Sequence, residues 1–167
     1  MSVAEHRAHS PASVACFVLT VSDTRTLETE TSGRAIAELL VAGGHTVVDR
    51  RVVKDDPGAV QSAIRAEIGL GRAKAFITTG GTGIARRDST YEAVTGMFEK
   101  RLDGFGELFR MLSFQEIGSA AMLSRATAGV ASGCVIFMLP GSEAAVRLAT
   151  TRLILPELGH IVRELTK

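Results

Sequence analysis

The chain has 167 residues, of which 46% are hydrophobic and 22% charged, and its formal net charge is +1. This is the composition of a folded globular protein, and the length suits one well-packed domain better than two. A charge so close to neutral lacks the basic face that nucleic-acid binding needs, so we expect no nucleic-acid partner. No stretch approaches about 18 uninterrupted apolar residues, so we expect no membrane span.

The N-terminal residues and the cysteines place the chain in a reducing compartment. Residues 1–13 are charged and lack the apolar run of a signal peptide, so we interpret them as a flexible leader before a single domain over residues 14–167. Cys16 and Cys134 each lie in an apolar run, which indicates buried free thiols. The histidines are dispersed without metal-ligand spacing, and we assign them no site. A cytoplasmic location follows.

The first half of the chain predicts alternating strands and helices. Continuous apolar runs predict strands that are buried on both faces, as in a parallel sheet covered by helices. Asp56 as N-cap and Pro57 in the first turn predict the start of one helix. In chain order we predict a strand over residues 14–22, a helix over 32–42, a strand over 45–53, a helix from Pro57 to about 70, and a strand over 74–79.

The second half continues this alternation with one reversal. Ser89 and Glu92 have the spacing of a capping box, which predicts a helix starting at Ser89. We then predict a helix over residues 106–116, a hairpin of strands over 127–131 and 134–139, and a closing helix from 143 with a kink or break at Pro156. The fold class is therefore α/β: three layers, doubly wound, with a mostly parallel sheet, one antiparallel strand, and helices on both faces.

Four polar segments directly follow predicted strands. In such sheets, ligands bind beyond the carboxyl ends of the strands, so segments that are distant in sequence should converge there. The segments are Ser22-Asp23, Asp55-Asp56, the run from Thr78 to Asp88, and Pro140-Gly141-Ser142. The sequence therefore predicts a single ligand crevice at this edge.

The glycine-rich segment predicts an anion site. Glycines let backbone N–H groups approach an anion closely, the threonines add hydroxyl donors, and the following helix N-terminus is favourable for negative charge. The segment matches neither the P-loop nor the dinucleotide fingerprint. Its residues are Thr79, Gly80, Gly81, Thr82 and Gly83. One of Arg86 and Arg87, which follow it, is expected to contact phosphate.

Two aspartates are candidates for holding a cation. If Ser89 caps the next helix, Asp88 is free, and if Asp56 is an N-cap, Asp55 can point into the crevice. Two carboxylates from separate loops are what Mg²⁺ needs when it bridges phosphate oxygens. Asp23 is either a further ligand or a loop cap. No Ser/His/Asp or Cys/His arrangement indicates a covalent intermediate.

Four motifs in this order resemble the MoaB/MogA family of molybdenum cofactor biosynthesis. They are TTGGTGIARRDST, FGELFRMLSFQEIG, MLSR and MLPGS, and the resemblance runs from about Cys16 to the closing helix. The segment from Gly104 to Gly118 is more similar to the MoaB branch. The resemblance implies adenylyl transfer, in which the terminal phosphate of molybdopterin attacks Mg²⁺-ATP to give adenylyl-molybdopterin and pyrophosphate.

The resemblance also assigns roles to residues. Asp55 and Asp88 match the catalytic, metal-binding carboxylates, and Ser113 and Ser124 match serines that hold the pterin. Further candidates for substrate binding are Ser22, Asp23, Thr79, Gly80, Gly81, Thr82, Gly83, Arg87, Pro140, Gly141 and Ser142. The resemblance implies a homotrimer or hexamer, and contact with other enzymes of the pathway is a further possibility. The alternatives are a molybdopterin carrier without chemistry, and a scaffold with a large exposed apolar patch.

Overall fold

Six strands form one sheet in the computed structural model, which describes all residues from Met1 to Lys167. The strands are β1 (Ala15–Val21), β2 (Thr46–Val53), β3 (Ala75–Thr79), β4 (Lys100–Arg101), β5 (Thr127–Ala131) and β6 (Cys134–Leu139). Their order across the sheet is β2-β1-β3-β6-β5-β4. Strands β2, β1, β3 and β6 pair in parallel, while β5 is antiparallel to both of its neighbours. The predicted mostly parallel sheet with one reversed strand is confirmed, although the short edge strand β4 was not predicted.

Seven α-helices connect and cover the strands. They are α1 (Val3–Ala8), α2 (Ser32–Ala42), α3 (Pro57–Leu70), α4 (Thr90–Thr95), α5 (Asp103–Ile117), α6 (Glu143–Ala149) and α7 (Leu155–Leu165). A 3₁₀ segment, Gly118–Leu123, follows α5, and a π-helical turn, Thr150–Ile154, joins α6 to α7. The irregularity predicted at Pro156 therefore lies in the turn that precedes this proline. None of the helices is long and apolar enough to cross a membrane.

The sheet is buried on both faces, which explains the continuous apolar runs. Successive side chains of a strand point to opposite faces. Cys16 and Val18 of β1 lie in the cluster formed with α2, α5, α6 and α7, whereas Phe17 and Leu19 lie in the cluster formed with α3 and α4. This three-layer arrangement leaves the carboxyl ends of the central strands as the place where a ligand can reach the main chain.

The flexible leader predicted over residues 1–13 needs a correction, because it contains helix α1. Ser2 caps this helix: its hydroxyl accepts a hydrogen bond from the Glu5 amide at 3.2 Å, and the Glu5 carboxylate accepts one from the Ser2 amide. Helix α1 lies on α7, where Arg7 pairs with Glu157 and Arg163 donates to the His6 carbonyl at 2.9 Å. Polar contacts with the closing helix thus hold the leader in place.

Candidate active site

The polar segments that follow β1, β2, β3 and β6 lie side by side. The Ser22 amide donates to the Val53 carbonyl at 2.9 Å, and the Gly80 amide donates to the Leu139 carbonyl at 3.1 Å. The Thr79 hydroxyl donates to the Pro140 carbonyl at 2.8 Å. These bonds continue the sheet pairing just past the strand ends, so the crevice expected from the topology forms there.

Positive φ angles at Gly80 and Gly81 turn the chain sharply at the end of β3. Their φ values are 95° and 70°, a region that side chains with a Cβ rarely adopt. A Cβ on Gly81 would also lie 2.6 Å from the Thr90 Cβ and 3.1 Å from the Asp55 Oδ1. Glycine is therefore required where this loop passes between the start of α4 and Asp55.

Asp55 is half-buried and is held by the start of α4. Its Oδ1 accepts hydrogen bonds from the Ser89 hydroxyl at 3.2 Å and the Thr90 hydroxyl at 3.1 Å, and a longer one from the Ser89 amide at 3.4 Å. The predicted capping box at Ser89 does not form, because the Ser89 hydroxyl bonds to Asp55 instead of capping the helix. All three donors reach the same oxygen, which leaves Oδ2 free for a cation.

Asp88 approaches the same glycine-rich segment, residues 79–83 (the glycine loop), from a different part of the chain. It is half-buried, and its Oδ2 accepts a hydrogen bond from the Ala85 amide at 3.1 Å. A Cβ on Gly83 would lie 2.5 Å from this oxygen, just as one on Gly81 would lie close to Asp55. The two carboxylates therefore face glycines separated by one residue, on the same side of the molecule. This set of hard oxygen ligands fits Mg²⁺.

A cavity of about 440 Å³ opens beside the glycine loop. Ser113, which is buried on α5, and Ser124, which follows the 3₁₀ segment, both line this cavity. Eight other residues predicted from sequence also line it: Gly80, Gly81, Thr82, Gly83, Asp88, Pro140, Gly141 and Ser142. Apolar contact comes from Phe109, Ile117, Leu123 and Ala145. The cavity thus combines an apolar wall, two serine hydroxyls and the main chain of the loop.

Two further cavities adjoin this one. A cavity of about 630 Å³ shares Gly83 and Asp88 with it and is also lined by Pro57, Arg86 and Arg125. A smaller cavity, of about 240 Å³, shares Gly80 and Gly141 with it. Ser22 and Thr79 line this smaller cavity. Asp88 therefore stands between two spaces large enough for ligands.

Asp23 and Arg87 pair with each other and line none of these three cavities. The Asp23 Oδ1 also accepts a hydrogen bond from the Asp55 amide at 3.2 Å. Of the two predicted roles of Asp23, the structure favours the loop cap over the ligand. Its carboxylate holds the segment that carries Asp55. Of the two arginines, Arg86 faces a cavity, whereas the Arg87 side chain is 73% exposed.

Arg125 is a site residue missing from the sequence-based set. Its Nε donates to the Thr82 carbonyl at 2.9 Å and its Nη2 to the Gly83 carbonyl at 2.5 Å, while the guanidinium lies 4.4 Å from the Tyr91 ring centre. It also pairs with Glu92, and this hydrogen bond holds the pKa of the Glu92 carboxyl below its ordinary value. Arg125 thus fixes the glycine loop. Its place beside Ser124 in the MLSR motif was the available signal.

Glu30 is a second residue that sequence reasoning missed. It is 2% exposed and lines the smaller cavity, where it accepts hydrogen bonds from the Thr20 hydroxyl at 3.1 Å and the Gly33 amide at 2.7 Å. Arg50 pairs with it, which compensates the buried charge. Nothing in the local sequence indicates this burial, because Glu30 lies in a polar stretch between β1 and α2.

The fold and the crevice define a class: a doubly wound α/β protein that presents carboxylates and a glycine loop at the carboxyl edge of its sheet. A family model described as "Probable molybdopterin binding domain" matches residues 17–160. The chain belongs to this family, and the resemblance to MoaB/MogA proteins is confirmed.

The relatives match over nearly the whole chain. Molybdenum cofactor biosynthesis protein B of Halalkalibacterium halodurans is 53% identical over 168 aligned residues, covering 100% of this chain and 99% of that protein. A crystal structure of a molybdenum cofactor biosynthesis protein B has a TM-score of 0.91 at 50% identity, covering 95% of this chain and 99% of that one. The tungsten cofactor synthesizing protein MoaB from Pyrococcus furiosus has a TM-score of 0.86 at 37% identity, covering 95% of this chain and 100% of that one.

Proposed function

We propose that this protein acts in molybdenum cofactor biosynthesis and adenylylates molybdopterin with Mg²⁺-ATP, giving adenylyl-molybdopterin and pyrophosphate. The observations that carry the proposal are that Asp55 and Asp88 face one glycine loop, and that Asp88, Ser113 and Ser124 line the cavity beside this loop. The names of the relatives support the pathway, and the absence of any covalent nucleophile arrangement in the crevice agrees with direct transfer.

The reaction joins two anions, so reducing their repulsion is the main catalytic task. An oxygen of the molybdopterin phosphate bonds to the α-phosphorus of ATP, the bond from that phosphorus to the bridging oxygen breaks, and pyrophosphate leaves with the electron pair. A phosphate nucleophile is already ionised at neutral pH, so no general base is required. Mg²⁺, when bound, supplies positive charge between the two reactants.

The residues of this chain bind and orient the reactants. Asp55 and Asp88 would hold a bound cation, and the amides of the glycine loop would donate to phosphate oxygens. Ser113 and Ser124 bind the pterin in the 440 Å³ cavity, against its apolar wall. Asp88 also lines the 630 Å³ cavity, so the nucleotide can lie on its other side, near Arg86. In this arrangement the two phosphates would meet near Asp88, which lines both cavities.

We also propose that the protein is a cytoplasmic homo-oligomer, a trimer or a hexamer. One side of α5 and the 3₁₀ segment after it expose large apolar residues: Leu108, Met111, Phe114, Ile117, Met122 and Leu123. A contiguous exposed apolar surface typically marks an interface between proteins. Two apolar residues of α5 do not belong to this surface, because Phe109 is buried and Phe105 packs on Phe137.

The test measures pyrophosphate release from the parent and three variants, with molybdopterin, ATP and Mg²⁺ present. Asp55→Asn and Asp88→Asn should each lower the rate by about 10²–10³-fold, as expected for loss of a group that stabilises the transition state. Asp56→Asn is the matched control: Asp56 is exposed, caps α3, and can be replaced by another good N-cap. An Asp88→Asn variant as fast as the parent would remove Asp88 from the mechanism. Pterin binding by the parent without pyrophosphate release would indicate the carrier function instead.

A further inference from the structure

We infer that this chain has a second metal site, for a transition-metal dication such as Zn²⁺, formed by His6, His160 and Glu164. These residues come from opposite ends of the chain, where α1 lies on α7. One potential ligand atom from each lies within 4.8 Å of the other two. The cluster lies away from the crevice. His160 and Glu164 line a cavity together with Gly133, which directly precedes β6, so this cavity is at the amino end of that strand, whereas the crevice is at the carboxyl ends.

The distances between the ligand atoms suit a tetrahedral ion. The His6 Nδ1 lies 3.0 Å from the Glu164 Oε1, and the His160 Nε2 lies 3.7 Å from the same oxygen. Zinc bonds to imidazole and carboxylate are about 2.0–2.1 Å, so two ligands at a tetrahedral angle are about 3.3 Å apart. His160 and Glu164 are four residues apart on α7 and share one face of the helix. Small side-chain movements would therefore complete the coordination.

A carboxylate beside the cluster prepares His160 for metal binding. The His160 Nδ1 lies 2.9 Å from the Glu157 Oε2, a contact that places the proton on Nδ1 and leaves the lone pair of Nε2 free. Metal-binding histidines almost always donate their other N–H in this way. Arg7 also pairs with Glu157, which fixes this carboxylate between α1 and α7.

Lys167 is the competing cation at this site. Its Nζ lies 2.7 Å from the Glu164 Oε1 and 2.9 Å from the Oε2. Since the carboxylate has two oxygens, Oε1 can bind the metal while Oε2 keeps the lysine. The side chains of His6 and His160 are only 20% and 22% exposed, so the protein shelters two of the ligands and solvent reaches the remaining position.

The ligand set selects the type of ion. Two imidazoles with one carboxylate suit Zn²⁺ and similar transition metals, whereas Mg²⁺ and Ca²⁺ prefer oxygen ligands alone. Such an ion would add a bond between the N-terminal and C-terminal helices to the hydrogen bonds and ion pairs that already join them. The site is thus a structural metal site that joins α1 to α7, and it takes no part in the proposed adenylyl transfer.

The first experiment titrates Zn²⁺ into the chelator-treated full chain by calorimetry. Excess Mg²⁺ is present, and the chain carries Asp55→Asn and Asp88→Asn, so that Zn²⁺ does not bind to the carboxylates of the crevice. We expect one Zn²⁺ per chain, and an affinity lowered roughly tenfold or more by His6→Gln and by His160→Gln. The control is His9→Gln, which alters an exposed histidine next to α1 that is outside the cluster. Unchanged Zn²⁺ affinity in His6→Gln and His160→Gln, or no binding at one equivalent, would overturn the inference.

The second experiment needs no variant and stays decisive if a histidine variant misfolds. In the parent, one equivalent of Zn²⁺ should shift the imidazole NMR signals of His6 and His160 and leave those of His9 and His45 in place. Amide hydrogen exchange over residues 1–13 should slow at the same time. Zn²⁺ that leaves the His6 and His160 signals unmoved would contradict the site.

Discussion

Replacing Gly81 by alanine should destabilise the protein by about 2.5–5 kcal/mol. The positive φ of 70° costs a residue with a Cβ about 1–2 kcal/mol. The new Cβ would lie 2.6 Å from the Thr90 Cβ, so α4 must shift and the hydrogen bond from the Thr90 hydroxyl to Asp55 is lost. A hydrogen bond to a charged group contributes about 1.5–3 kcal/mol. The measurement is urea unfolding followed by circular dichroism, at one fixed protein concentration.

Gly71→Ala is the matched control for this substitution. Gly71 ends α3 with a φ of 67°, nearly the same as that of Gly81, but a Cβ there would meet nothing within 4 Å. Gly71→Ala should therefore lower the free energy of unfolding only through the positive φ, by about 1–2 kcal/mol. Both substitutions also lower the conformational entropy of the unfolded chain, and this stabilising effect cancels when the two free energies of unfolding are compared. Equal losses of stability in the two variants would show that the contact of Gly81 with Thr90 and Asp55 does not matter.

Three further outcomes are expected. Arg125→Met should lower the free energy of unfolding by about 1.5–3 kcal/mol, since two carbonyls of the glycine loop lose a charged donor, and should speed amide exchange in that loop. Burial lowers the pKa of His45, whose Nδ1 accepts a hydrogen bond from the Val14 amide. The contribution of His45 to the free energy of unfolding should therefore be constant above pH 6.5 and fall as the pH drops below it, and His45→Gln should remove this part of the pH dependence in urea unfolding. Phe114→Glu, at a side chain that is 60% exposed, should reduce the native mass to that of a monomer without changing the helical signal.

The sequence predicted five of the six strands and the crevice because these features depend on strong local signals. Asp55 follows a strand and precedes an N-cap, so its position at the sheet edge follows once the sheet is parallel. The position of the glycine loop is predictable for the same reason, because β3 must end where Gly80 and Gly81 turn the chain. Ser113 and Ser124 are different: only the family resemblance selected them, and the packing of α5 against the sheet brings them to the cavity.

Two copies of one local pattern show where sequence reasoning fails. Ser2 and Glu5 have the same spacing as Ser89 and Glu92, yet only the first pair forms a capping box. The Ser89 hydroxyl instead donates to the carboxylate of Asp55, which is distant in sequence. A hydrogen bond to an ionised acceptor is stronger than one between neutral groups, so the tertiary contact prevails over the local one. The leader has no such competitor, and there the local pattern decides.

The histidines illustrate a different limit. His6 and His160 are dispersed in sequence and show no metal-ligand spacing, but their ring centres lie 5.5 Å apart. Their approach depends on α1 lying on α7, and the docking contacts are exposed side chains such as Arg7, which carry no periodic signal. Clusters assembled from the two ends of a chain in this way become visible only in the folded structure.

The two carboxylates of the crevice differ in how firmly they are held, and this difference bears on the proposed reaction. Asp55 accepts three hydrogen bonds on one oxygen from the start of α4, so its position is fixed before any ligand binds. Asp88 accepts one, from Ala85, in a loop whose residues 84–87 are exposed. A cation joining two reactants must keep its place while the phosphates move together. In the proposed reaction, Asp55 would therefore be the fixed ligand of a bound cation and Asp88 the adjustable one, and Asp88 lines both of the cavities that we propose for the substrates.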